Sequence, residues 1–147
     1  MVRRLTVALA AGMITTISAT AVVAQADVIK ERQTLLKQFG DVTKPVGGML
    51  RGNTAFDLAT VQAALDAYAK NAKVLPTLFP EGSGTGDTEA LPAIWQDKAK
   101  FDGLFGKLGT DAAAARVAIT DEASFKANFP GVIRTCGTCH DSFRQKK

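Results

Sequence analysis

The stretch TCGTCH at residues 135–140 holds both cysteines and the only histidine of the 147-residue chain. On a helix, residues three and four apart share a face, so Cys136, Cys139 and His140 converge on one patch. Two cysteines followed at once by a histidine, at this spacing, form the attachment signature for c-type haem. The stretch therefore predicts one haem c, held covalently through two thioethers, with His140 as a ligand of the iron.

Two other kinds of site use the same residue types. A dithiol redox pair shares the spacing of Cys136 and Cys139, but it usually follows a strand, and the chain lacks the sustained two-residue alternation of strands. A zinc site would need a fourth ligand, and the chain has no further cysteine or histidine. Haem attachment is therefore the favoured interpretation.

Upstream of the motif, apolar residues recur at helical spacing in four segments. Each segment reads as one face of an amphipathic helix, and four such helices bury their faces against one another in a bundle. The last apolar face includes both cysteines. The sequence predicts an all-α, antiparallel up-down-up-down four-helix bundle with the haem attached near the C-terminus. The four faces are Val28, Leu35, Phe39, Val42, Val46 and Met49; Leu58, Val61, Leu65, Tyr68, Ala72 and Leu75; Ile94, Phe101, Phe105, Leu108, Ala112, Ala115 and Ile119; and Phe125, Phe129, Val132, Cys136, Cys139 and Phe143.

Polar residues, prolines and glycines set the expected ends of these helices. Asn53–Thr54 predicts the N-terminal cap of the second helix, and Asp121–Glu122 predicts the start of the fourth. Pro45 and Pro130 predict kinks inside the first and the last helix. Residues 76–92 contain three prolines and three glycines without any period, which predicts one long loop.

The first 26 residues have the composition of an export signal. A short basic start, Met1–Arg4, precedes an apolar run that ends in the small-x-small pattern Ala24–Ala26. Serine and threonine interrupt the run between residues 15 and 20, which argues against a membrane anchor. We expect residues 1–26 to be cleaved, leaving residues 27–147 as a single domain in the periplasm, free of the membrane. Haem attachment also explains why two cysteines in that oxidising compartment do not pair.

Charge and composition exclude some functions. The net charge of +4 falls to about +2 once Arg3 and Arg4 are removed, and acidic and basic residues are interspersed. No basic stripe with interleaved aromatic residues remains, so no nucleic-acid partner is predicted. There is no second histidine and no base–nucleophile pair, so the sequence predicts no enzyme activity.

Three segments of the chain resemble the cytochrome c′ family, the class II c-type cytochromes. They are residues 28–37, Leu91–Trp95 after the long loop, and Cys136–Arg144, where the family carries its haem motif. The resemblance covers essentially all of residues 27–147. It implies the four-helix bundle, and a homodimer formed through the first two helices.

By the same resemblance, Leu36 lies over the open side of the haem, where low-spin, six-coordinate members have a methionine. Leucine has no lone pair to donate to iron, so the resemblance implies a five-coordinate, high-spin iron with His140 as its only protein ligand. Met49 is the only methionine after the signal peptide, and it lies roughly 20 Å beyond Leu36 along a straight helix. Met49 is predicted to be a core residue.

The resemblance assigns further residues to the haem pocket. Arg32 and Gln33 match positions near the haem propionates, and a guanidinium suits a carboxylate; the alternative is a solvated arginine on a polar helix face. Arg144 matches a basic residue on the proximal side, and its alternative is a cation interacting with the helix dipole. Trp95 and Phe143 are predicted to pack around the haem.

A free coordination position beneath a leucine predicts which molecules bind. NO and CO need no hydrogen-bond donor, whereas bound O₂ gains from a polar group that leucine cannot supply. Together with the resemblance, the sequence therefore predicts a haem protein that binds NO and CO, cycles between Fe(III) and Fe(II), and has a redox partner protein. The alternative is an electron-transfer cytochrome with a six-coordinate, low-spin haem.

Overall fold

A computed structural model describes residues 19–146, with side chains from Gln25 onward. Residues 1–18 of the predicted signal peptide therefore lie outside the described residues. The described chain is helical, with α1 at Ala19–Leu50, α2 at Leu58–Val74, a 3₁₀ turn at Leu75–Leu78, α3 at Ala93–Gln96, α4 at Lys98–Ala118 and α5 at Glu122–Phe143. Among these helices, none combines the length and the apolar character needed to cross a membrane.

The predicted apolar faces meet in one core. Tyr68, Phe125 and Phe129 are almost completely buried there, and their rings lie in contact with one another or with a neighbouring aromatic ring. Helices α1 and α2, α2 and α4, and α4 and α5 pack against each other. The four long helices thus form the four-helix bundle that the sequence predicted.

The third predicted helix is divided in two. Asp97 has φ −135° and ψ 61°, which interrupts the helix after the single turn of α3. Its carboxylate then accepts a hydrogen bond from the backbone N–H of Lys100, at 3.1 Å, and so caps α4. Ile94 therefore belongs to α3, whereas the remaining apolar residues of that face lie on α4.

The predicted cap of the second helix was wrong. Asp57, rather than Asn53 or Thr54, accepts hydrogen bonds from the backbone N–H of Ala59 and the hydroxyl of Thr60. These bonds lower the pKa of the Asp57 carboxyl, because they stabilise its charged form. The helix starts late because α1 ends in a turn through Gly52, whose φ of 75° suits glycine.

The other predicted helix signals have mixed outcomes. Asp121 caps α5 in a reciprocal pair with Ser124, which confirms the predicted start. Pro45 and Pro130 lie inside α1 and α5, and both helices continue beyond them. Each proline removes one backbone donor without ending its helix, because packing of the surrounding turns holds the backbone in place.

Tyr68 joins α2 to α1 through a hydrogen bond whose direction can be worked out. Thr43 Oγ1 lies 2.5 Å from the carbonyl oxygen of Phe39 and 2.7 Å from the hydroxyl of Tyr68. A carbonyl cannot donate, so the single Thr43 hydrogen goes to Phe39 and the Tyr68 hydroxyl donates to Thr43. Burial raises the pKa of Tyr68 to about 12.

We expect Tyr68→Phe to change the pH dependence of stability. At neutral pH the variant loses one hydrogen bond, so its free energy of unfolding should be about 1 kcal/mol lower than that of the parent chain. The raised pKa means that the parent's stability is complete below the unfolded-state pKa of about 10 and falls as the pH rises towards 12, by up to about 2–3 kcal/mol. Chemical unfolding at pH 7 and pH 11.5 should show the variant less stable at the first pH and more stable at the second. An equal stability difference between variant and parent at the two pH values would contradict the raised pKa of Tyr68.

Candidate functional site

A cavity of about 950 Å³ opens between α1, α4 and α5, beside the long loop. Its size lies at the upper end of the range for small-molecule and cofactor sites. The lining is mostly apolar, with cationic and hydroxyl groups near α1 and the loop. It consists of Arg32, Gln33, Leu36, Lys37, Phe39, Gly40, Thr43 and Lys44 on α1; Phe79 and residues 87–90 in the loop; Ile94, Phe101, Leu104, Phe105 and Leu108 on α3 and α4; and Ile133, Thr135, Cys136, Cys139, His140 and Phe143 with Arg144 at the end of α5.

The two cysteines and the histidine of residues 136–140 lie on the α5 wall of this cavity. Cys136 and Cys139 are half-buried, are not paired with each other, and line the cavity together with His140. Burial raises the pKa of the Cys136 thiol, and burial together with the neighbouring Cys136 raises the pKa of Cys139 to about 11. Dithiol redox enzymes instead lower the pKa of their reactive cysteine to form a thiolate near neutral pH. This environment disfavours the dithiol interpretation.

His140 stands at the rim of the cavity with its ring accessible. Desolvation lowers the pKa of His140, and the nearby charge of Arg144 lowers it further. A lower pKa favours the neutral imidazole, which has a lone pair that can bind a metal. Within residues 19–146, no group of three or more histidine, cysteine or acidic side chains is arranged to bind a metal ion by itself.

The residues present fit a haem. The cavity is large enough for a macrocycle, its apolar lining suits the ring, and the two thiols and the imidazole lie on one wall. Cys136 and Cys139 would hold the group through thioether bonds, and His140 would supply an axial ligand.

Arg32 is the most buried charged residue of the described chain, at 2% exposure. Its guanidinium donates hydrogen bonds to the carbonyl oxygens of Leu78 and Ser83 and to the hydroxyls of Ser83 and Thr88, at 2.7–3.3 Å. It also lies 4.5 Å from the ring centre of Phe79. The solvated-arginine alternative is therefore wrong, because Arg32 holds the long loop in place along the cavity.

Removing this side chain should destabilise the fold far more than removing an exposed arginine. Arg32→Met leaves the buried loop acceptors without their donors, so we expect the free energy of unfolding to fall by about 3 kcal/mol. Arg116 forms an exposed ion pair with Asp66 at 3.1 Å, and Arg116→Met should cost less than about 1 kcal/mol. Urea unfolding of both variants, followed by circular dichroism, measures the difference. Equal losses would mean that the loop does not depend on Arg32.

The end of the long loop, residues 87–91, forms a strap that links α1 to the end of α5. Gln33 donates from Nε2 to the carbonyl oxygen of Asp87 at 2.8 Å. Farther along, Leu91 donates its backbone N–H to Phe143, and Gln145 donates to Glu89. Arg144 Nε donates to Glu89 Oε2 at 2.7 Å. The strap thus ties the helix that carries Leu36 to the last turn of the helix that carries His140.

The remaining predicted residues lie in different places. Phe143 is buried on the cavity wall, with its ring 5.3 Å from that of Phe101. Leu36 lines the cavity and is 38% exposed. Trp95 lies outside the lining, because its indole packs over Gly84 and donates to the carbonyl oxygens of Phe79 and Pro80. Met49 is buried in the bundle core and does not line the cavity.

Sequence reasoning missed several residues of this site. Phe101 and Phe105 lie on the predicted apolar face of α4, and their aromatic character was the available signal. Gly40 follows Leu36 by one helical turn, so its place on the cavity face could have been read from the helical period. Glu89 carried no signal, because its contact with Arg144 depends on how the loop folds.

Comparisons with known proteins agree on one family. A family profile described as Cytochrome C′ matches residues 27–144. A cytochrome c′ from Rhodopseudomonas palustris is 54% identical over 145 residues, which cover 98% of this chain and 99% of that protein. A cytochrome c-556 from Agrobacterium fabrum is 38% identical over 120 residues, covering 81% and 82%. The solved structure of cytochrome c′ from Rhodopseudomonas palustris matches with a TM-score of 0.80 at 56% identity, covering 82% of this chain and 98% of that one.

Proposed function

The chain belongs to the cytochrome c′ family and carries one covalent haem c, and on that premise we propose that it is a periplasmic protein that binds NO and CO at a five-coordinate, high-spin iron. When bound, the haem supplies an iron that cycles between its ferric and ferrous states and accepts an axial ligand. His140 provides that ligand, and Cys136 and Cys139 hold the group. We further propose that the chain has no enzyme activity.

The observation that carries this proposal is that no methionine, histidine or cysteine lies on the α1 side of the cavity, among the described residues that line it. Leu36 offers only carbon atoms there. Met49, the one methionine among residues 19–146, is 8% exposed and packs in the core away from the cavity. The polar residues on this side of the cavity are Arg32, Gln33, Lys37, Thr43 and Lys44, and none of them is the methionine of a low-spin cytochrome. An apolar side chain such as Leu36 over the iron favours diatomic ligands that bind without a hydrogen-bond donor.

The second candidate function is that of a low-spin electron carrier. Relatives named cytochrome c-556, such as the Agrobacterium fabrum protein, stand beside those named cytochrome c′, so this second candidate is kept. A carrier of that kind needs a strong second axial ligand, usually a methionine. The burial of Met49 in the core argues against it. Slower electron exchange with a redox partner protein remains part of the main proposal, since the iron cycles in either case.

Two further parts of the proposal rest on the resemblance and the sequence. The family profile begins to match at residue 27, directly after the predicted signal peptide. This supports export to the periplasm and cleavage near residue 26. The proposed homodimer, formed through α1 and α2, rests on the family resemblance, and sedimentation velocity of the purified protein tests it.

Optical and electron paramagnetic resonance spectra of the ferric and ferrous protein test the proposed function. We expect high-spin spectra in both states, and changes on adding NO or CO to the ferrous protein. Met49→Leu is the matched variant, because it removes the only methionine among residues 19–146 while keeping an apolar side chain. The spectra should be the same in this variant. A low-spin parent that becomes high-spin in Met49→Leu would establish the electron-carrier alternative instead.

A further inference from the structure

Gly40 occupies an unusual place in the cavity wall. It is the only glycine among the lining residues described above, and it follows Leu36 by four residues on the same face of α1. Both residues are exposed while they line the cavity, so they lie where the cavity meets solvent. The wall therefore has its smallest residue at its opening.

The helix itself does not require a glycine at this position. A glycine inside a helix costs roughly 1 kcal/mol relative to alanine. Gly40 lies well inside α1 and its φ is not positive. A Cβ built on Gly40 meets no atom within 4 Å, whereas Cβ atoms on Gly47 and Gly48 would meet side chains at 3.2 Å. Neither a turn nor a close packing contact accounts for Gly40.

What lies beside Gly40 is open space that belongs to the cavity. Leu36 and Thr43 flank this space on α1, and Leu36 is the apolar side chain proposed to lie over the iron. A side chain at position 40 would project from the same helix face, one turn from Leu36. It would narrow the opening through which a small molecule reaches Leu36.

We propose that Gly40 is a specificity-determining residue, which keeps open the path by which diatomic ligands pass Leu36 to reach the iron. This inference rests on the proposed function, since it assumes a ligand that enters the cavity. Leu36 acts as the cover over the binding position, and the gap at Gly40 sets how fast NO or CO arrives there. Larger side chains at position 40 admit ligands more slowly.

Gly40→Ala tests the path, with Gly103→Ala as the matched control. Gly103 is also an exposed glycine inside a helix, its added Cβ meets nothing within 4 Å, and it does not line the cavity. Both substitutions improve helix propensity, so both haem-loaded variants should melt roughly 2–4 °C higher than the parent. Only Gly40→Ala should slow CO association, by about fivefold or more, and Gly40→Val should slow it further. The rates are measured by flash photolysis of the ferrous CO complex.

The possible outcomes separate this inference from the proposed function. If the parent protein binds neither CO nor NO, the proposed function fails. If the parent binds CO and both alanine variants bind CO at the parent's rate, the proposed ligand path at Gly40 is wrong while the proposed function stands. Gly40→Ala could instead lower the haem content found by intact-mass measurement. The space beside Gly40 would then hold the macrocycle itself, and the proposed ligand path would be wrong.

Discussion

A chain in which Cys136 and Cys139 are both replaced by alanine should carry no covalently attached haem. Both sulfurs line the same cavity wall, and no other cysteine exists in the chain to replace them. Intact-mass measurement under denaturing conditions should show the parent chain with a haem-sized addition and the double variant without one. His140 alone would leave any haem bound reversibly, so extraction by acid and organic solvent should remove it completely from the variant.

Single substitutions give the control for this experiment. Cys136→Ala and Cys139→Ala each keep one thiol on the cavity wall, so a fraction of each variant should retain the added mass through one thioether. His140→Ala should keep both thioether positions and lose the axial ligand instead, so it changes the spectrum rather than the covalent bond. A double variant that still carried the added mass would show that the haem is attached elsewhere.

The bundle could be predicted because its signals are local. The spacing of apolar residues specifies helical faces without knowledge of the rest of the fold, and Cys136, Cys139 and His140 converge on one face through helix geometry alone. A helix cap also depends mostly on neighbouring residues, and for that reason the cap of α5 at Asp121 could be predicted. The cap at Asp57 was missed because where α2 begins depends on how the turn after α1 is made.

The cavity's loop wall could not be predicted for a different reason. Residues 79–91 have no periodic pattern, and their conformation is set by contacts with residues 51–56 positions away. Arg32 holds Ser83 and Thr88, and Arg144 holds Glu89. Each arginine was recognised from the family resemblance, but the partner that each one binds was not. Long-range hydrogen bonds of this kind produce no regular residue pattern from which the partners could be predicted.

These loop contacts also have a functional consequence. The guanidinium of Arg32 has five N–H donors, and the four bonds to the loop engage both of its terminal nitrogens. The same residue therefore keeps a positive charge at the cavity and fixes the wall that the cavity needs. An acidic group bound there would gain from the charge, as the family resemblance implies for a propionate, while the loop keeps Arg32 in place.

The identity of residue 36 should decide the spin state of the iron, so Leu36→Met is expected to convert the protein from high-spin to low-spin. The substitution conserves volume and adds a thioether sulfur to the cavity wall. Methionine with histidine is the ligand pair of low-spin electron-transfer cytochromes c. The ferric protein should then show a low-spin resonance spectrum and a methionine-to-iron charge-transfer band. CO association should slow by at least about tenfold, since the new ligand has to be displaced first.

Leu35→Met is the matched control for this change, because it places the same side chain at the adjacent residue. Leu35 packs against the core and does not line the cavity, so its thioether has no access to the site. This variant should remain high-spin and bind CO at the parent's rate. If Leu36→Met also stays high-spin with unchanged CO binding, Leu36 does not lie over the iron, and the proposed function loses the residue on which it rests. If both variants become low-spin, the bundle rearranges to admit sulfur from either position, and one fixed side chain does not determine the coordination number.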